Sequence, residues 1–175
     1  MPYSRWDSVL TAPESGTVIA VAVFTARPDR VFRALTDSDD IQQWWGGGRG
    51  GSQIAWEGQP EAGTHWEARG DFSGGRTFTA WGEFLQVEPG QHYVQSWRTS
   101  WDEGNASEAS VRVKPIKDGT ALTLVHHGFI NRREACQTQA QIWWKVIKWL
   151  RPHLQNHIFV ATSLDEHRLQ RAGNN

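Results

Sequence analysis

The sequence has few of the features that usually identify a location or a partner. Its 175 residues include one cysteine, Cys136, so the chain cannot form an internal disulfide. No apolar run approaches the roughly 20 residues that span a bilayer, and the first residues lack the apolar core of a signal peptide. Acidic residues (19) and basic residues (18) nearly balance, which argues against nucleic acid or an anionic membrane as a partner. These features predict a cytoplasmic protein.

The familiar catalytic and cofactor motifs are missing as well. The glycine-rich stretch Gly46–Ser52 follows a predicted helix and has no lysine at its far end, so we interpret it as a flexible hinge or lid and not as a phosphate-binding loop. His126 and His127 are neighbours on a predicted strand, where successive side chains point to opposite faces, so they cannot bind one metal together. The sequence therefore predicts no metal and no cofactor.

Tryptophan is the residue in excess, with 11 in the chain. Each buries roughly 150–250 Å² when packed, so the indoles either fill a large core or line a cavity. Three of them lie in Cys136–Leu154, where apolar residues recur every three or four positions and predict an amphipathic helix. This pattern places Gln139 and Arg151 on the polar side, and Pro152 predicts a kink or a stop near Leu150. Such a broad aromatic face needs a wide, concave partner, such as a curved sheet.

The preceding residues predict that sheet. Thr17–Phe24 predicts a first strand, and two short helices follow, with Pro28 in the first turn of one and Asp37 as the N-cap of the other. From Ser52 to Gly128, short β-rich runs are separated by glycine or proline about every ten residues, which is typical of an antiparallel meander. The order predicts an α+β fold in which the sheet curls round the C-terminal helix and the short helices close one end.

Four segments carry a family resemblance: VIAVAVFTARPDRVFRALTDSDDIQQWWG, WGEFLQVEPGQHYVQSW, GTALTLVHHGF and WWKVIKWLRPHL. In this order they resemble the START-like (SRPBCC, birch-pollen-allergen-type) superfamily, in the branch named for an activator of a heat-shock-protein ATPase. The resemblance implies the helix-grip fold, a curved antiparallel sheet wrapped round a long C-terminal helix with a pocket between them. It divides the chain into an N-terminal extension (1–16), a START-like ligand-binding domain (17–154) and a partly helical C-terminal extension (155–175).

The resemblance also implies a range of functions, since members bind apolar or amphipathic small molecules and some cyclise or hydrolyse polyketides. Together with the excess of tryptophan, it predicts a small apolar or aromatic ligand between helix and sheet. His126 is a candidate acid or base for a cyclase or hydrolase in the same pocket, because its ordinary pKa lies near neutrality. For the histidine and for each indole, structural packing is the alternative. The predicted ligand-binding residues are Trp45, Trp66, Trp81, Trp97, His126 and Trp143.

Two other hypotheses remain open. The branch name suggests a protein-interaction module resembling a co-chaperone, although the chain has no room for the additional chaperone-binding domain of the eukaryotic activators. The C-terminal segment could instead mediate a homodimer. Alternation along the strands does not decide which face is concave; charged strand residues are expected on the solvated outer face, and these are Glu67, Arg69, Glu83, Arg98 and Arg112.

Overall fold

A computed structural model describes residues 7–47, 54–72 and 76–172, so most of the glycine-rich stretch lies outside the described residues. Three helices are present in this part of the chain: α1 (Pro28–Thr36), α2 (Ser38–Trp44) and α3 (Arg133–Ala172). Short 3-10 turns follow at Trp45–Gly47 and Ser100–Asp102. The strands are β1 (Ser8–Ala12), β2 (Thr17–Phe24), β3 (Ile54–Gly58), β4 (His65–Phe72), β5 (Arg76–Glu88), β6 (His92–Thr99), β7 (Ser107–Ile116) and β8 (Gly119–His127).

The strands form one antiparallel sheet in the order β1-β2-β8-β7-β6-β5-β4-β3. β3 to β8 are the predicted meander, and β2 returns to pair with β8 over its whole length. α3 covers one face of this curved sheet, so the α+β helix-grip fold is confirmed. None of the helices described has the length and apolarity that a membrane span requires.

Alternation along each strand separates a buried inner face from an outer face. On β5, Ala80 and Phe84 are buried, whereas Thr77 and Glu83 are exposed. The charged strand residues behave as expected, because four of the five are exposed and Glu67 is half-buried beside Arg69. The inner face of the sheet, which alternation in the sequence did not identify, is therefore the face that carries Ala80 and Phe84.

The N-terminal residues add an edge strand to the sheet. β1, from the predicted N-terminal extension, pairs with β2 along its full length, with Leu10 opposite Ile19. The limits of the domain at residues 17 and 154 remain predictions.

The two short helices begin as predicted. Pro28 is the first residue of α1, and Arg27 before it makes no side-chain capping bond. Asp37 caps α2, because its carboxylate accepts a hydrogen bond from the backbone N–H of Asp40 at 2.9 Å. The helices therefore follow β2 without a long connection and close one end of the sheet.

α3 presents its predicted apolar face to the sheet but extends further than expected. Trp143, Ile147 and Leu150 are buried. A stop near Leu150 is wrong, since the helix continues through Pro152 to Ala172, and a kink there stays a prediction. Pro152 is exposed, so the backbone hydrogen bond that proline cannot make costs less here than it would in the core.

Two polar residues of α3 were assigned to the wrong side. Gln139 and Arg151 are both buried. The guanidinium of Arg151 donates to both carboxylate oxygens of Asp7 at 2.6 Å and to the carbonyl of Val23 at 2.8 Å, and it lies 4.8 Å from the centre of the Phe24 ring. A buried guanidinium is tolerated because it is paired in this way, and the pairing ties α3 to β2 and to the residue just before β1.

Candidate functional site

Six tryptophans form a continuous series of ring contacts that begins and ends on α3. From Trp149 the contacts run to Trp45 in the 3-10 turn and Trp56 on β3, with ring centroids 6.5 and 5.5 Å apart. Trp56 stacks on Trp66 of β4 at 5.0 Å and 11°. Trp66 contacts Trp97 of β6 at 4.6 Å, and Trp97 contacts Trp143 of α3 at 5.4 Å. We call these six residues the aromatic arc.

The sheet beneath the arc carries small residues. Ala68 on β4 is paired with Ala80 on β5, and both are on the inner face. Gly82 lies opposite Trp66, and a Cβ atom added at Gly82 would lie 1.8 Å from the carbonyl oxygen of Ser96, so only glycine allows this approach. The same carbonyl accepts a hydrogen bond from the Trp66 indole at 3.2 Å. The indoles therefore surround a floor with almost no side chains of its own.

His126 lies at one end of the arc and is completely buried. The Trp143 indole is a donor only, so Nδ1 of His126 accepts its hydrogen bond, at 3.0 Å. Nε2 therefore carries the proton and donates to the Ser107 hydroxyl at 2.8 Å, and that hydroxyl donates to the carbonyl of Trp97 at 3.3 Å. Burial, aided by the charges of His127 and Arg132, lowers the pKa of His126 to about 3. The imidazole is neutral at physiological pH, with both nitrogens hydrogen-bonded.

The structure brings together five of the six predicted site residues. Trp45, Trp66, Trp97 and Trp143 belong to the arc, and His126 contacts Trp97 and Trp143 at ring distances of 5.5 and 5.9 Å. The sixth is on the other side of the sheet, since alternation places Trp81 opposite the inner face that carries Ala80.

Sequence reasoning missed Trp56 and Trp149. Alternation in the β3 sequence IAWEG pairs Trp56 with buried Ile54 on one face, and this signal was available. Trp149 was recognised as apolar, but its contact with Trp45 depends on the path of the chain after α2 and has no sequence signal.

A surface cleft of about 640 Å³ lies where the Ser100–Asp102 turn faces the first turns of α3. Its lining includes Trp101 and Ile142, both partly buried against the core. Trp101 meets the edge of Phe78 of β5 at 5.9 Å. The lining of this cleft includes no residue of the arc.

Within the described residues, His126 and His127 do not converge on a common ligand. His127 is exposed and its ring faces Glu108 at 3.2 Å, whereas His126 is buried on the other face, as strand geometry predicted. No group of three or more potential ligands that could hold a metal occurs in this part of the chain.

The sheet, the long helix and the two short helices define the class of the protein as helix-grip, START-like. The family model described as activator of Hsp90 ATPase homolog 1-like protein matches residues 25–155, and the chain belongs to this family. A comparison with curated proteins gave no match.

Several solved structures share the fold. Protein CV1439 from Chromobacterium violaceum is 21% identical, with a TM-score of 0.68 over 79% of this chain and 96% of that one. A protein from Rhodobacter sphaeroides is 17% identical, with a TM-score of 0.71 over 88% and 98%. DynU16, from the dynemicin biosynthetic locus, is 18% identical, with a TM-score of 0.61 over 83% of this chain and 48% of DynU16. At these identities the likeness concerns the fold alone.

Proposed function

We propose that this protein binds a flat, apolar or aromatic small molecule between α3 and strands β3–β6. The observation that carries the proposal is the aromatic arc above a floor of Ala68, Ala80 and Gly82. Indole faces stack on flat aromatic rings, and small floor residues reduce the side-chain volume that such a ring would have to displace.

Binding is supported better than acid–base catalysis by His126. A general acid or base works best with a pKa near the operating pH, but the pKa of His126 is lowered to about 3. Both of its nitrogens already bond to Trp143 and Ser107. Its proposed role at the site is to hold the Trp143 indole in place.

The setting of one protein with the same fold supports a small-molecule role. DynU16 is described as a protein of a biosynthetic locus, which is a setting for small-molecule chemistry. We further propose a cytoplasmic protein without a cofactor. Cys136 is buried, and burial raises the pKa of its thiol, so it fits an unreactive core residue.

Native mass spectrometry with the tricyclic probes fluorene and 9-fluorenone tests the proposal. We expect a one-to-one complex with at least one probe, and isothermal titration calorimetry should give its affinity. The Ala68→Leu variant should weaken binding by filling the floor, whereas Trp144→Phe, on the exposed side of α3, should not. Absence of any complex with the wild-type protein contradicts the proposal.

The homodimer predicted from the C-terminal segment also remains a proposal. Size-exclusion chromatography of the full chain and of a truncation after Leu154 separates the two states. A dimer that becomes monomeric on truncation supports the segment as the interface, and a full chain that is already monomeric contradicts it.

A further inference from the structure

Five buried indoles in or beside the arc differ in the partner of their N–H group. The N–H groups of Trp44, Trp66 and Trp143 donate to the Ala34 carbonyl (2.9 Å), the Ser96 carbonyl (3.2 Å) and Nδ1 of His126 (3.0 Å). Those of Trp56 and Trp97 have no hydrogen-bond partner among the described residues. Trp56 is 4% exposed and Trp97 is 2% exposed, so bulk water does not supply the missing acceptor. Buried polar groups in native proteins are nearly always paired, and two exceptions so close together call for an explanation.

The two unpaired donors belong to the same place in the fold. Trp56 and Trp97 both contact Trp66, at ring distances of 5.0 and 4.6 Å, and both lie on the inner face of the sheet. Gln95 and Gln139 are also buried, and the Nε2 atom of each has no partner in the described part of the chain. Gln95 is two residues before Trp97 on the same face of β6, and Gln139 is one helical turn before Trp143. Buried donors without a partner therefore occur on β3, β6 and α3, three of the elements that carry the arc.

These donors restrict the chemistry of a complementary ligand. An indole N–H can only donate, so the atom that completes it must be an acceptor. The arc and its floor carry no charged side chain, and His126 within the site is neutral, so an uncharged ligand avoids the cost of burying a charge. A carbonyl oxygen on a flat ring meets these requirements, because it accepts two hydrogen bonds without adding a charge.

We propose that Trp56 and Trp97 determine specificity by donating hydrogen bonds to carbonyl oxygen, and that the ligand class is uncharged flat aromatic ketones or quinones. This inference rests on the proposed function, since it names the ligand class of the same site. A trapped water would also satisfy the two donors, and it would give no preference for carbonyl compounds. A carbonyl-binding site and a site with a trapped water thus predict different ratios of affinity for compounds with and without a carbonyl group.

Three probes of one shape separate them. Fluorene carries a methylene at its central position, 9-fluorenone a carbonyl acceptor and carbazole an N–H donor. We expect wild-type protein to bind 9-fluorenone about five- to tenfold more tightly than fluorene by isothermal titration calorimetry, the gain typical of a net hydrogen bond. Carbazole should bind no more tightly than fluorene, because its N–H group is a donor and cannot accept a hydrogen bond from the indole N–H groups.

Variants identify the residues responsible. Trp56→Phe and Trp97→Phe keep an aromatic ring and remove the N–H, so each should reduce the advantage of 9-fluorenone over fluorene. The double variant should abolish it. Trp144→Phe, on the exposed side of α3, is the matched control and should keep the full advantage. The ratio of two affinities measured on one variant is insensitive to a general loss of binding.

The outcomes are distinct. Equal affinities of wild-type protein for fluorene and 9-fluorenone, or an unchanged ratio in the double variant, overturn the carbonyl assignment and leave the proposed function standing. Failure of all three probes to bind wild-type protein overturns both. If the double variant does not fold, the three affinities of the wild-type protein still decide the ligand class.

Discussion

α3 lies over two unlike stretches of one sheet. Its backbone comes closest to β1 and β2, and the inner face of β2 carries the small buried residues Ala20 and Ala22. Toward β4–β6 the contact is made by side chains, with Trp143 reaching Trp97 at 5.4 Å. In one half of the interface the helix backbone thus lies close to the sheet, and in the other half indoles connect the helix to the sheet.

The difference shows that small residues have opposite roles in the two halves. Ala20 and Ala22 are buried on β2, where small side chains allow the helix to come close to the strand. Ala68 and Ala80 are equally small and buried, but their neighbours are the rings of the arc. We therefore expect the first half to hold the helix in place and the second to accept a ligand, and four predictions test this division.

The largest effect is expected in the closely packed half. Arg151→Ala removes the guanidinium that pairs with the Asp7 carboxylate, which is 1% exposed. Removing one member of a buried ion pair costs about 3–5 kcal/mol, so the free energy of unfolding by urea should fall by this amount. Lys145→Ala, on the exposed side of α3, should change it by less than about 0.5 kcal/mol. Similar values for the two variants would show that the ion pair does not hold the helix.

Acid should weaken the junction between the halves. The folded-state pKa of His126 is about 3, below its ordinary value of 6.5, so the unfolded chain binds the extra proton first. The stabilisation is complete above pH 6.5 and is lost as the pH falls toward 3, with about 2 kcal/mol lost at pH 5.

The pH dependence of unfolding between pH 7.5 and 5 measures this loss. His126→Gln should flatten the slope, and the exposed-site variant His127→Gln should retain it. An unchanged slope in His126→Gln would mean that other groups cause the acid sensitivity.

Enlarging the alanines compares the halves directly. Ala20→Leu inserts atoms under the helix backbone, and overpacking of this kind costs about 1–3 kcal/mol. Ala68→Leu should cost less, because a ligand space can take up the added side chain. Thermal unfolding of both variants measures the difference. Equal losses of stability would indicate that both halves are filled alike.

The smallest effect concerns the rim of the arc. Trp45 is half-buried between Trp56 and Trp149, so Trp45→Phe should reduce the affinity for 9-fluorenone by roughly threefold, in line with the energy of one aromatic contact. Trp81→Phe, on the outer face of the sheet, should leave that affinity unchanged. Equal effects would restore Trp81 to the binding site that the sequence predicted for it.

Local patterns predicted most of the fold. The bounds of β2 follow from a β-branched run, and the cap of α2 follows from Asp37. The order of these elements and the resemblance then predicted the helix-grip arrangement. The end of α3 was missed because Pro152 lies on the solvent side, where the loss of one backbone hydrogen bond costs less than in the core.

Pairings between distant residues were not predictable from the sequence. Arg151 has the spacing of a surface residue, and its burial depends on Asp7 at the opposite end of the described chain. The arc likewise depends on how β3 and the Trp45–Gly47 turn meet α3. A sequence pattern shows the spacing of residues but not which distant residues they contact. Trp81 and Trp97 were therefore equally good candidates for the binding site before the arrangement of the strands was known.

The ring contacts of the arc also have an optical consequence. Indoles held 4.6 to 6.5 Å apart at fixed angles share their excited states, so light absorbed by one is redistributed over the series. The near-ultraviolet circular dichroism of this protein should therefore contain coupled bands and not the sum of isolated chromophores. A molecule that separates a single pair of rings would alter the spectrum of all six indoles. The spectrum would therefore show whether the binding site is occupied.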